Sequence, residues 1–272
     1  MTLIQKEIKA VYLWTTQVRP KAIPEAPTLA SFDTTAIQSG SLWGWYGYWF
    51  WFIEWWLKFF NGWVDNWKQY CWTTTTPYDI SSFTVTNKSI GNSSSWSWNA
   101  CVAFNWDGSY YYVCNGSNVY KYTCSTPYDI ANSSQTASYS MTYEKRFFCF
   151  WDEWKKYYVM SQSDNYIYQY NCSTPYDYST KSVNWSYRPI NQECWWFCFR
   201  PDGSTLYLAC YKNSTLYRIT MTTPRDITTW TVAETRGGFG SSPLWIQVLN
   251  VADKIYMFIT RWYWNIYKYW QS

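Results

Sequence analysis

A repeat of 48–50 residues constrains this chain more than any other feature. TTPYDI at 75–80, STPYDI at 125–130, STPYDY at 173–178 and TTPRDI at 222–227 place Pro77, Pro127, Pro175 and Pro224 at intervals of 50, 48 and 49. The segments before each motif align too. FNWDGSYYYV (104–113), FWDEWKKYYV (150–159) and FRPDGSTLYL (199–208) lead into NVYKYTCSTPYDI, YIYQYNCSTPYDY and TLYRITMTTPRDI. A first copy reads FIEWWLKFFN (52–61) with QYCWTTTTPYDI, and a last copy, VADKIYMFIT (251–260) with NIYKYW (265–270), stops before its proline motif. A period of this length marks a repeat architecture, in which each unit buries its apolar face against its neighbours.

Each unit reads as four short strands. The first ends at an alternating pair such as Val102/Phe104, Phe148/Phe150 or Phe197/Phe199, and Asp-Gly at 107–108 or 202–203 turns it into a second strand such as Tyr110–Cys114. A third strand carries Val-Tyr-x-Tyr at 119–122. Thr-Pro-Tyr-Asp then forms a turn in which proline fixes φ and Asp79, Asp129, Asp177 or Asp226 bonds local backbone N–H groups. A polar fourth strand such as Gln135–Tyr143 suits an exposed outer edge. Units at about 41–80, 91–130, 139–178, 188–227 and 240–270 predict an all-β fold, a β-propeller of five four-stranded blades over 28–272. An open β-repeat array is the alternative. Residues 28–38, TLASFDTTAIQ, resemble the polar fourth strand, so an amino-terminal strand is expected to complete the last blade. Residues 1–27 then form a docking segment and a linker stiffened by Pro20, Pro24 and Pro27.

Composition narrows the chemistry. With no histidine, Ser-His-Asp and Cys-His catalysis and His-ligated zinc are excluded. Nine cysteines without a CxxC pair read as reduced, mostly buried thiols, and Cys194 with Cys198 is a weak metal signal. Asp152 and Glu153 are adjacent, so on a strand they point to opposite faces and make no catalytic pair. The turn aspartates recur in every complete unit, as structural residues do. No enzymatic activity, cofactor or metal is expected. The net charge of +4 and the pairs Lys145/Arg146 and Lys155/Lys156 are too modest for a nucleic-acid partner. The stretch 42–60, LWGWYGYWFWFIEWWLKFF, is long enough to span a bilayer, but Glu54 and Lys58 interrupt it and it is a copy of the repeat; strands, not membrane insertion, are expected. No tripartite signal peptide opens the chain.

With 23 Trp, 28 Tyr and 14 Phe, most rings must pack between units, yet rim tryptophans such as Trp43, Trp45, Trp96, Trp98 and Trp106 are candidates for a sugar-stacking platform. Two tryptophans sit oddly. Where two units have Gly108 and Gly203 in the turn, two others have Trp154 and Trp56. Either those turns are of another type, or tryptophan stands where the gene product carries glycine, through a recoded stop codon; only 11 glycines in an all-β chain favours the latter.

Units of the form F-x-x-D-G-x-x-x-Y-V, V-Y-x-Y and S-T-P-Y-D-I resemble the propeller-like repeats of bacteriophage virion proteins and of some bacterial surface proteins. KAVYLWTTQVRP (9–20) is similar to a segment, VYLGTTQVRP, that recurs at the start of phage structural and tail-associated proteins, with Trp14 in place of glycine. The resemblances cover 9–20 and about 51–270. They imply a multicopy virion protein on the exterior of tail or capsid. Val11, Tyr12, Thr15, Thr16, Gln17, Val18 and Arg19 would dock on other virion proteins, and the propeller would face a host-surface glycan or protein. The competing reading of 11–19 is an edge strand on its own propeller. The competing reading of the whole is a bacterial surface or secreted carbohydrate-binding adhesin.

Overall fold

The computed structural model describes residues 38–41, 47–53, 58–63, 68–73, 84–91, 101–105, 107–151, 155–161, 164–187, 193–200, 202–237, 239, 243–251, 254–261 and 265–270. The fold is all-β, and every strand pairing among these residues is antiparallel. After β1 (Gln38–Ser41), unit one supplies β2 (Gly47–Ile53), β3 (Lys58–Trp63), β4 (Lys68–Thr73) and β5 (Thr84–Gly91) as a four-stranded meander. Units two and three share a six-stranded sheet of β6 (Cys101–Phe104), β7 (Tyr110–Cys124), β8 (Ser133–Trp151), β9 (Lys156–Ser161), β10 (Ile167–Cys172) and β11 (Lys181–Tyr187). Unit four is the meander β12 (Cys194–Phe199), β13 (Thr205–Cys210), β14 (Thr215–Met221) and β15 (Trp230–Arg236). Unit five comprises β16 (Pro243–Val251), β17 (Lys254–Arg261) and β18 (Asn265–Trp270). Its fourth strand is β1, which pairs with β18 from Gln38 opposite Lys268 to Ser41 opposite Asn265. Of the stretch 28–38 expected to do this, only Gln38 lies among the described residues.

The six-stranded sheet departs from the expected strand divisions. The N–H of Cys124 donates to the carbonyl of Ser109 at 2.8 Å, so β7 reverses within itself and supplies both the second and third strands of unit two. The matching bonds run from Cys172 to Lys155 at 2.6 Å and from Met221 to Ser204 at 2.9 Å. In β8 the first half pairs with β7 and the second half with β9, so the fourth strand of unit two runs directly into the first strand of unit three. No glycine or proline interrupts SSQTASYSMTYEKRFFCFW to break the extended chain.

Second strands are buried on both faces. Tyr157, Tyr158, Val159 and Met160 of β9 and all six residues of β13 are sealed from solvent, as continuous apolar runs between turns require. The outer β15, WTVAETR, buries only Trp230 and turns polar side chains outward. Aromatic rings join the units: Phe147 packs on Phe197 edge-on at 4.7 Å, and Tyr158 on Phe199 at 4.7 Å. First strands neighbour one another in succession, β2 with β6, β6 with β8, β8 with β12, β12 with β16, and β16 with β2.

Cys194 and Cys210, opposite one another on β12 and β13, are joined by a disulfide, which corrects the reading of all nine cysteines as thiols. The cross-strand register, invisible in a spacing of 16 residues, brings them together. Cys124, Cys149 and Cys172 are buried thiols.

Candidate functional site

Of the site residues singled out from sequence, those that lie among the described residues all belong to the proline turns. In each described turn the N–H of the aspartate closes on the threonine carbonyl three residues back: Asp129 to Thr126 at 3.0 Å, Asp177 to Thr174 at 3.2 Å, Asp226 to Thr223 at 3.2 Å. Pro127, Pro175 and Pro224 hold the second position, and Tyr128, Tyr176 and Arg225 take the third at φ of 60°, 58° and 60°. Positive φ in a bulky residue is costly, on the order of 1 kcal/mol or more. Bonds within the unit offset it: Tyr128 N–H donates to the Gly108 carbonyl and Arg225 N–H to that of Gly203, each at 2.9 Å. The aspartates then cap short 3-10 turns. Asp129 accepts from Ala131 N–H at 3.2 Å, Asp177 from Ser179 N–H at 3.0 Å and Asp226 from Thr228 N–H at 3.0 Å.

Gly108 and Gly203 are needed on two counts. Their φ values are 71° and 73°. A Cβ on Gly108 would come within 2.5 Å of the Tyr128 ring, and one on Gly203 would collide with the Arg225 side chain. Trp56 and Trp154, at the equivalent positions, lie outside the described residues, as do Trp14, Pro77 and Asp79. The flanks of position 154 nonetheless match the glycine units, in the bond from Cys172 to Lys155 and in the positive φ of Tyr176.

Two of the turns are also held by the preceding unit. Tyr112 Oη donates to the Tyr176 carbonyl at 2.7 Å and accepts from Tyr178 N–H at 3.4 Å. One unit on, Tyr158 Oη donates to the Arg225 carbonyl at 2.6 Å, while the buried Gln169 Oε1 accepts from Ile227 N–H at 3.2 Å. Tyr112, Tyr158 and Tyr207 share one repeat position, four residues after Gly108, Trp154 and Gly203, and that column was the sequence signal for this interlock. Burial pushes the hydroxyls of Tyr112 and Tyr207 up and that of Tyr110 up to about 12. The Tyr112 hydroxyl stays protonated and serves as the donor to Tyr176. At Asp107 burial acts upward, but hydrogen bonds from Ser109 and Asn105 outweigh it and hold the carboxyl low.

A different group gathers at the start of β12. There Cys194 opposes Cys210 and Trp196 opposes Ala209, leaving Trp195 as the extra residue of a β-bulge. Its indole Nε1 donates to Glu193 Oε1 at 3.2 Å, and its ring lies 5.1 Å from that of Tyr211, tilted by 38°. Tyr211 N–H donates to the Glu193 carbonyl at 3.1 Å, and the disulfide lies between the two aromatic residues along both strands. Glu193, Trp195 and Tyr211 are half-buried, with Lys212 and Asn213 exposed beside them. Sequence reasoning missed this group; the signal was the Trp195-Trp196-Phe197 run, which breaks apolar alternation. The aromatic candidates Trp43, Trp45, Trp96, Trp98 and Trp106, and the docking residues Val11, Tyr12, Thr15, Thr16, Gln17, Val18 and Arg19, lie outside the described residues.

No family model matches the chain, and no curated protein matches it. Among solved structures, it is similar to a protein from Lactobacillus plantarum at 13% identity, covering 78% of this chain and 66% of that one, with a TM-score of 0.47. It is also similar to a functionally unknown protein from Desulfotomaculum acetoxidans at 13% identity, covering 79% and 63% with a TM-score of 0.46. The chain thus spans just under two thirds of the length of each.

Proposed function

We propose that this chain is a non-enzymatic bacteriophage virion protein, a five-bladed propeller fixed to the particle by residues 1–27 and displayed outward for host attachment. The propeller reading is supported by the succession of first strands, which returns from β16 to β2, and by the pairing of β1 with β18. The observation that carries the display role is the use made of the repeat's polar residues. The described turn aspartates cap their own turns, and Tyr112 and Tyr158 fasten the next unit, so the repeated residues build a scaffold. Repeat positions whose residue changes from unit to unit, such as that of Trp195, are the candidates for contact with a partner. The virion setting rests on the resemblance of KAVYLWTTQVRP to phage structural segments. The Cys194–Cys210 disulfide supports an oxidising, exterior setting.

Peptide-level mass spectrometry of purified particles from the source culture tests this. Detection at structural-protein abundance is the expected result. Absence from particles, with the chain found on cells or in the medium, would replace the reading with that of a bacterial adhesin.

A further inference from the structure

The bulge at Trp195 belongs to the repeat. Equivalent irregularities fall between Lys145 and Phe147 and between Pro243 and Trp245, so Arg146, Trp195 and Leu244 occupy one repeat position. A position that takes a cation, an indole or an isobutyl group is not dictated by core packing. Unit four keeps the acid that unit three has two residues earlier, Glu144 and Glu193, and replaces the cation by an indole.

Other polar pairs at this end of the sheets have a structural explanation. Tyr168 Oη donates to Asp164, and Asn213 Nδ2 donates to Tyr217 Oη at 2.9 Å; both pairs brace the same hairpin in successive units. Glu193, Trp195 and Tyr211 form a separate grouping at the same end.

We propose that Glu193, Trp195 and Tyr211 form a saccharide-binding site, in which a hexose lays its C–H face on the indole and donates hydroxyl protons to the Glu193 carboxylate. This deepens the attachment reading by naming the ligand class, and rests on it for the biological setting. The indole is set in place by its bond to Glu193 Oε1 at 3.2 Å and by the Tyr211 ring, so little ordering remains to be done on binding. A carboxylate has enough lone-pair sites to accept from the indole and from sugar hydroxyls together. The disulfide ties the backbone of Cys194 to that of Cys210, one residue from each ring. Lys212 at the rim and the net charge of +4 weigh against a cationic ligand.

The test uses the full chain on an array of neutral and N-acetylated hexose oligosaccharides, followed by calorimetric titration of the one best retained. W195A is expected to bind roughly tenfold more weakly, from the loss of the aromatic face, with W195F in between and E193Q severalfold weaker. Circular dichroism checks the fold of each variant, and if W195A does not fold, W195F and E193Q carry the comparison. The proposal is overturned if no oligosaccharide is retained, if the folded variants bind as tightly as the unsubstituted chain, or if only a lysine-rich peptide is captured. Saccharide binding by a chain absent from particles would remove the virion reading and leave the site. A particle-bound chain that retains no saccharide would remove the site alone.

Discussion

The hydroxyl of Tyr158 donates to the backbone carbonyl of Arg225 at 2.6 Å across 67 residues of sequence, and so reaches from one repeat unit into the turn of the next. Tyr112 makes the same reach to Tyr176 at 2.7 Å. One side chain thus fixes both the seam between units and the carbonyl of a residue held at positive φ. Y158F is expected to lower unfolding stability by about 1 kcal/mol, and Y112F, whose hydroxyl serves two bonds, by about 2 kcal/mol. Urea denaturation of the two variants checks this; equal stability to the unsubstituted chain would mean that the seam is held by ring packing alone.

The glycine positions make a sharper comparison. G108A and G203A force a Cβ into the Tyr128 ring or the Arg225 stem at positive φ, and each is expected to cost about 1–3 kcal/mol. W154G is expected to do the reverse and raise the melting temperature, because the flanks of position 154 repeat the geometry of the glycine units. A lower melting temperature for W154G would establish a different turn in unit three. Peptide masses over residues 14, 56 and 154 separately read which residue the gene product carries.

Alkaline pH should loosen the turns from within. Burial, then the charge of Asp129, pushes the Cys124 thiol up to about 11; burial, then Asp177, does the same for Cys172. An unfolded thiol titrates near about 8.5, so the stabilisation is complete below that value and is lost as pH rises to about 11. Thermal melts at a series of pH values should be flat to about 8.5 and then fall. The double variant C124A/C172A should flatten that decline, and an unchanged slope would assign it to the tyrosines.

Removing the disulfide bears on the Trp195 end. It closes a loop of 16 residues, for which C194S/C210S should cost about 3 kcal/mol. Saccharide affinity should fall more than in G108A, whose expected cost reaches a similar size in another unit, since only the former frees the strands that carry Trp195 and Tyr211. Equal losses would separate the disulfide from the site.

The antiparallel hairpins and the capped turns were legible because they are local. Asp107-Gly108 and Asp202-Gly203 announce a turn, and Thr-Pro-x-Asp needs only its own residues to close. Features that depend on distant partners were not. The column of Tyr112, Tyr158 and Tyr207 marks a shared position, but nothing in it names the carbonyl, more than sixty residues away, on which a hydroxyl ends. The continuity of β8 was hidden because a fourth strand and the next first strand have the same extended backbone, so no breaker marks the unit boundary. Trp195 was passed over among many tryptophans because a bulge shows only in the register of a partner strand, and the Cys194–Cys210 bond for the same reason.

The pairing of β1 with β18 has a mechanical consequence. Tension transmitted through Gln38 meets a ladder of four residue pairs, from Gln38–Lys268 to Ser41–Asn265. Longer ladders, such as the one that holds β16 to β17 from Pro243 to Val251, lie behind it. Under load that four-pair ladder acts as a fuse: β1 peels away before the hairpins behind it are pulled, and slack is released while the rest of the sheets keep their shape.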